Sequence, residues 1–73
     1  MANEEVLPLK EWRLRRYWTY RHLAKQSGVS TYTIQRAERG ERVQEITARK
    51  IADALGVAVD RIAEFGSPIK ADR

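Results

Sequence analysis

The sequence has no cysteine, one histidine and two prolines among 73 residues. Without cysteine there is no disulfide and no thiolate metal site, and His22 cannot build a metal site alone. A reduced, cytoplasmic setting fits that composition. No apolar run approaches the ~20 residues needed to span a bilayer, so no membrane segment is expected. The opening Met1-Ala2-Asn3-Glu4-Glu5 has neither a basic start nor an apolar core, so no secretory signal is expected. There is no nucleophile–base set, no pair of carboxylates placed for a cleft and no phosphate loop. An enzyme is therefore not expected, nor a cofactor, nor a small-molecule ligand, since so thin a domain has little room for a buried pocket. No stretch alternates with period two between turn signals, so strands are not expected either.

What is present is charge, unevenly placed. The net charge is +4. Met1 to Leu9 carries −2, from Glu4 and Glu5. Lys10 to Arg42 carries nine Lys or Arg against Glu11, Glu38 and Glu41, hence +6. Val43 to Arg73 carries five of each sign and is neutral. A net basic excess carried by the first half of a fold points to a polyanion partner. The length allows one small domain. Such a chain buries only about 60% of its unfolded surface, and pairing with a second copy is a common remedy.

The apolar pattern reads as helices throughout. Residues 1–8 form an N-terminal segment expected to be flexible, with Pro8 tolerated at a helix start. Helix 1 is expected over Leu9 to Arg16, with Leu9, Trp12 and Arg13 on one face. Thr19 is suited to cap helix 2, Tyr20 to Ser27, and Gly28 to stop it. Ser30 caps helix 3, Thr31 to Arg39, which Gly40 ends. Helix 4 runs from Glu45 to Leu55 with Ile51, Ala52 and Leu55 inward, and Gly56 stops it. A short helix 5 is expected over Val59 to Glu64, with Ile62 inward. The domain thus covers 9–65, and 66–73 is expected to be a flexible tail. Trp12 and Trp18 read as core and core edge, and His22 as a surface residue.

Helices 2 and 3 are joined by Ser27-Gly28-Val29-Ser30, a connector of helix-turn-helix length. Two helices crossing steeply need a small residue where they meet, a residue that accepts a left-handed corner, and apolar anchors. Ala24, Gly28 and the set Leu23, Val29, Ile34 and Ala37 meet these demands.

The ordered series Leu23-Ala24, Gly28-Val29-Ser30, Ile34, Glu38-Arg39-Gly40 and Ile51-Ala52-Asp53-Ala54-Leu55-Gly56-Val57 resembles the lambda-repressor-like Cro/C1 (XRE) helix-turn-helix family. The resemblance covers about Leu9 to Phe65. It implies an all-α, five-helix domain whose third helix enters the major groove of double-stranded DNA. It also places Thr31, Tyr32, Gln35 and Arg36 against base edges. Their chemistry suits that role: Arg36 can donate twice to guanine, Gln35 can read adenine, and the Thr31 methyl can meet a thymine methyl. Phosphate contacts are expected from Thr19 and Tyr20 at the start of helix 2, and from Arg21, Arg39 and Arg42; Arg15 and Arg16 are weaker candidates. In the family an Arg on helix 1 bonds a Glu near the end of helix 3, and Arg13 and Glu38 stand at those positions as a structural salt bridge. Two positions depart from the family. Tyr20 replaces a usual Gln that braces the recognition helix. Tyr17 replaces a frequent Gly, so helix 1 is expected to exit without a left-handed residue.

The implied function is a sequence-specific transcriptional regulator of bacterial or phage type, a repressor acting as a homodimer on a palindromic operator. Val57, Val59 and Phe65 belong to an apolar cluster larger than one short helix requires, and are expected to form the dimer face. An antitoxin or a restriction-modification controller would share the same DNA chemistry. A protein-interaction adaptor would not need Arg36, Arg39 and Arg42 along one edge.

Overall fold

A computed structural model describes residues 5–65. Four α-helices follow one another: α1 (Leu9–Arg15), α2 (Tyr20–Ser27), α3 (Thr31–Glu38) and α4 (Glu45–Leu55). A single 3₁₀ turn, Val59–Arg61, comes last. α2 packs on both α3 and α4, α1 rests on α3, and the 3₁₀ turn rests on α4. Leu9 and Trp12 from α1, Leu23 from α2, Ile34 and Ala37 from α3, and Ile51, Ala52 and Leu55 from α4 form one core together with Ile62. Leu9 and Trp12, Ile34 and Ala37, and Ile51 or Ala52 and Leu55 lie three or four residues apart, so one stripe of each of these helices turns inward.

The helix starts follow the capping residues. The Thr19 hydroxyl accepts the His22 N–H at 3.0 Å, and the Ser30 hydroxyl accepts the Thr33 N–H at 3.1 Å. Each satisfies a first-turn donor that has no partner inside its helix. α1 starts differently. Its Leu9 N–H donates to the Glu64 carboxylate at 2.7 Å, so an acid from the far end of the domain sits at the positive end of this helix.

The expected fifth helix is shorter than the sequence suggests. Helical geometry lapses after Arg61, and Ile62 is extended, with φ −98° and ψ 116°. The reason is a competing backbone partner. Leu7 N–H donates to Arg61 O at 3.0 Å, and Ala63 N–H donates to Leu7 O at 2.8 Å. Ile62 thus forms an isolated parallel bridge with Leu7, the one departure from helices and turns among the described residues. A continuing helix would need the Ala63 N–H for Val59. The Trp12 indole N–H adds a bond to Arg61 O at 2.9 Å and fixes this seam to α1. Most of the two segments expected to be flexible, residues 1–4 and 66–73, lies outside the described residues.

The exit from α1 also differs from expectation. Tyr17 has φ +59°, the one non-glycine residue with positive φ among the described residues. Its N–H donates to Leu14 O at 2.9 Å and the Trp18 N–H to Arg13 O at 3.2 Å. That pair of bonds closes a helix through a left-handed residue, whatever its type. The turn is needed because Trp18 must fold back for Arg13 Nη1 to reach Trp18 O at 2.8 Å. A left-handed L-residue costs about 1–2 kcal/mol, and the Tyr17 side chain is 95% exposed, so it returns little by packing. Tyr17→Gly is therefore expected to stabilise the domain by roughly 1 kcal/mol, which at this size raises the melting temperature by about 4–8 °C. Thermal melts followed by circular dichroism check this; an unchanged or lower midpoint would show that the tyrosine ring is held by something other than its exposed surroundings.

Candidate nucleic-acid interface

The turn between α2 and α3 sets the geometry. Gly28 takes φ +75° and its N–H donates to Ala24 O at 2.8 Å, ending α2. Val29 then drops against the core beside Ala24, and Ser30 starts α3. With Ile34 and Ala37 fully buried, the opposite side of α3 faces solvent. Tyr32 is 64% exposed, and the Arg36 guanidinium lies 5.7 Å from its ring centre, one turn along. Thr31 and Gln35 are half-buried at the flank of the same helix. The four residues expected to meet bases are therefore all on α3, with Tyr32 the most exposed and Arg36 one turn along from it.

A shallow groove runs beside Gln35, lined by Lys10, Tyr20, Gln35, Glu38 and Arg39. Two cations, a phenol and the Glu38 carboxylate, itself paired with Arg13, surround this open depression. Lys10 has no role in the sequence reading beyond its charge. Its place one turn before Arg13 on α1 is the signal that could have found it.

The remaining cations divide by what they hold. Arg13 is committed inward: Nε donates to Glu38 at 2.7 Å, Nη2 to the other Glu38 oxygen at 3.4 Å, and Nη1 to Trp18 O. Tyr20 covers this ion pair, its ring centre 4.2 Å from the guanidinium carbon. The phenol thus lies over the pair that links α1 to α3. Arg16 is committed as well. It donates to Trp12 O at 3.1 Å and to Leu55 O, a carbonyl at the negative end of α4. Arg15 pairs with Glu5 at 3.2 Å in the open. Among the described residues Lys10, Arg21, Lys25 and Arg42 make no ion pair and are exposed. Thr19, expected at a phosphate, caps α2 with its hydroxyl oxygen and keeps the hydroxyl proton available.

Arg36 and Arg39 share one carboxylate. Arg36 Nε donates to Glu41 Oε1 at 2.8 Å and Arg39 Nε to Glu41 Oε2 at 3.0 Å. The bond to Glu41 strengthens the hold of the Arg36 guanidinium on its proton, and the two arginines, Arg36 foremost, keep the Glu41 carboxyl below the ordinary carboxylate range. Glu41 is not among the residues expected from sequence. A Glu placed just past a helix-ending glycine and five residues after an Arg was the available signal.

Val57, Val59 and Phe65 are half-buried and packed against the core. The large apolar side chains that stand furthest into solvent are elsewhere: Val6, Leu14, Tyr17, Tyr32 and Ile46. His22 is exposed, its ring 4.7 Å from that of Trp18. Among the described residues no group of three or more His, Asp or Glu could hold a metal, and no helix is long and apolar enough to cross a membrane.

Comparison with known proteins agrees with this geometry at one level. A family model described as helix-turn-helix matches residues 9–62, from the first residue of α1 to the bridge at Ile62. No curated protein and no solved structure matches the chain.

Proposed function

Because the chain belongs to the Cro/C1-type helix-turn-helix family, whose members are DNA-binding regulators, we propose that it is a sequence-specific transcriptional repressor. It places α3 in the major groove of a near-palindromic operator and acts as a homodimer, in the cytoplasm, on bacterial or phage DNA. The observation that carries this reading is the outer face of α3. Tyr32 stands there in solvent with the half-buried Arg36 beside it, on a helix anchored by the buried Ile34 and Ala37. Thr31 and Gln35 complete the base-reading set. Thr19, Tyr20, Arg21, Arg39 and Arg42, joined by Lys10, take phosphates on either side.

Dimerisation is part of the proposal because one recognition helix spans too little DNA. A single helix in one groove reads roughly four to six base pairs, and two-fold pairing doubles that while setting half-sites about 34 Å apart. The partly exposed edges of Val57, Val59 and Phe65 are the proposed contact, as an apolar rim continuous with the core.

Selection of bound duplexes from a random library tests all of this together. The expected outcome is enrichment of two inverted half-sites centred about ten base pairs apart. Enrichment of one half-site without symmetry would remove the dimer, and no enrichment would remove sequence-specific regulation.

A further inference from the structure

We propose that Glu41 is a positioning residue for DNA recognition: its carboxylate holds Arg36 and Arg39 by their Nε–H groups and presents the outer fork of each guanidinium to DNA. The inference rests on the reading of α3 as the base-reading helix.

The end of that helix places Glu41. Gly40 has φ +87°. Its N–H donates to Ala37 O at 3.0 Å, and the Glu41 N–H donates to Arg36 O at 3.0 Å. These two bonds turn the chain back over the last turn of α3. Glu41 is thereby fixed by its own backbone to the residue whose side chain it binds. Glycine makes that turn without strain, where the positive φ would penalise any residue with a Cβ.

The choice of nitrogen decides what the contact does. A guanidinium has five N–H donors, one on Nε and four on the terminal nitrogens. Glu41 takes the Nε–H of both arginines. Nη1 and Nη2 of Arg36 and Arg39 have no partner among the described residues, so each side chain keeps its end-on pair of donors. That pair is the part of arginine that matches guanine O6 and N7, or two oxygens of a phosphate. A carboxylate competing with DNA would occupy the terminal nitrogens. Here it occupies the one donor that an end-on contact does not use. The Arg36 guanidinium also lies over the Tyr32 ring, 5.7 Å from its centre. An exposed arginine otherwise spreads over many rotamers, and DNA must then select one; an arginine held in place has already given up that freedom.

One carboxylate also couples two tasks. Arg36 is the proposed base reader and Arg39 a proposed phosphate contact, so the shared oxygen pair fixes their spacing. Misplacing one displaces the other.

The test compares Glu41→Ala, Glu41→Gln and Arg36→Ala with the unmodified protein. Each binds the selected operator, its single-base-pair variants and an unrelated duplex. Glu41→Ala is expected to melt near the unmodified protein, since the cluster is exposed. It should lower discrimination at the base pair read by Arg36 by about three- to tenfold. Affinity for unrelated duplex should not fall, because a negative charge near phosphate has been removed. Glu41→Gln keeps one neutral acceptor oxygen and should restore part of the discrimination. Arg36→Ala should flatten preference at that same base pair.

Operator and unrelated duplex gaining affinity by the same factor in Glu41→Ala would make Glu41 a competitor and overturn the proposal. An unchanged base profile would overturn it too, as would a uniform loss at every base pair accompanied by a lower melting point. Base preferences intact in Arg36→Ala would remove the reader that Glu41 is said to position, while sequence-specific binding would still stand. An unmodified protein without sequence preference would sink the functional reading itself, and that failure appears before any variant is made.

Discussion

Arg13→Ala and Glu38→Ala are each expected to remove about 3–5 kcal/mol of stability, the loss seen when one member of a buried ion pair is deleted. The two side chains are only 8% and 6% exposed, and their closest contact is 2.7 Å. All three guanidinium nitrogens of Arg13 are in use, two on Glu38 and one on Trp18 O. Either deletion leaves a charge in the interior without its counter-charge, beneath the Tyr20 ring. Domains have roughly 0.05–0.15 kcal/mol of stability per residue, so a chain of this length holds about 4–11 kcal/mol in total. The loss is a large share of that. With about 4–8 °C per kcal/mol, the melting temperature should fall by at least about 12 °C. Arg13→Lys should recover little, because an ammonium cannot supply the planar three-way fork. Replacing both members by apolar residues, Arg13→Met with Glu38→Leu, should recover most of the stability, since neither charge is then stranded. Single variants melting at the same temperature as the unmodified protein would show that water reaches the pair and shares its charges.

The consequence for DNA is indirect. The pair joins α1 to α3, and Glu38 touches the candidate interface only at the groove beside Gln35, away from Tyr32 and Arg36. Where the variants stay folded at low temperature, their base preferences should therefore match those of the unmodified protein.

The features that the sequence made legible share one property: their causes are local. α2 begins after a threonine that caps it and ends at a glycine that turns left-handed, so both ends are written in adjacent residues. α4 has the same clarity, with its inner stripe and Gly56. The parts that were not legible depend on residues far apart in the chain. The fifth helix gives way after Arg61 because Leu7 competes for the backbone, a partner more than fifty residues away. The left-handed Tyr17 is not foreseeable from tyrosine's own preference. It follows from the need to bring Trp18 O to Arg13. In the candidate site, spacing placed Thr31, Tyr32, Gln35 and Arg36 on one helix, since that needs only periodicity. The allocation of the cations needed coordinates. Nothing in the order of residues shows that Arg16 reaches a carbonyl of α4, or that Glu41 takes the Nε–H of both Arg36 and Arg39.

That allocation sets the largest effect expected in solution, the response of DNA affinity to salt. Nine basic residues lie between Lys10 and Arg42. Arg13 and Arg16 are spent inside the fold, Arg15 is paired with Glu5, and Arg36 is the proposed base reader. Five remain for phosphates in each copy: Lys10, Arg21, Lys25, Arg39 and Arg42. Not all will lie over the backbone, so a dimer should make roughly 4–8 phosphate contacts, each adding about 0.9 to the slope of log K against log salt. Raising salt from about 50 to about 200 mM should then weaken binding by about two to four powers of ten. The slope also reports assembly. Arg42→Ala removes one contact per copy, so it should lower the slope by about 0.9 if one copy binds and by about 1.8 if two do. Arg16→Ala is the control. Its guanidinium is turned to Trp12 O and Leu55 O, so the slope should stay unchanged even where stability falls. Titrations by fluorescence anisotropy over a series of salt concentrations give all three slopes. An affinity indifferent to salt would sink the DNA reading, and a slope reduced equally by Arg16→Ala and Arg42→Ala would show that the cations are not divided as the structure divides them.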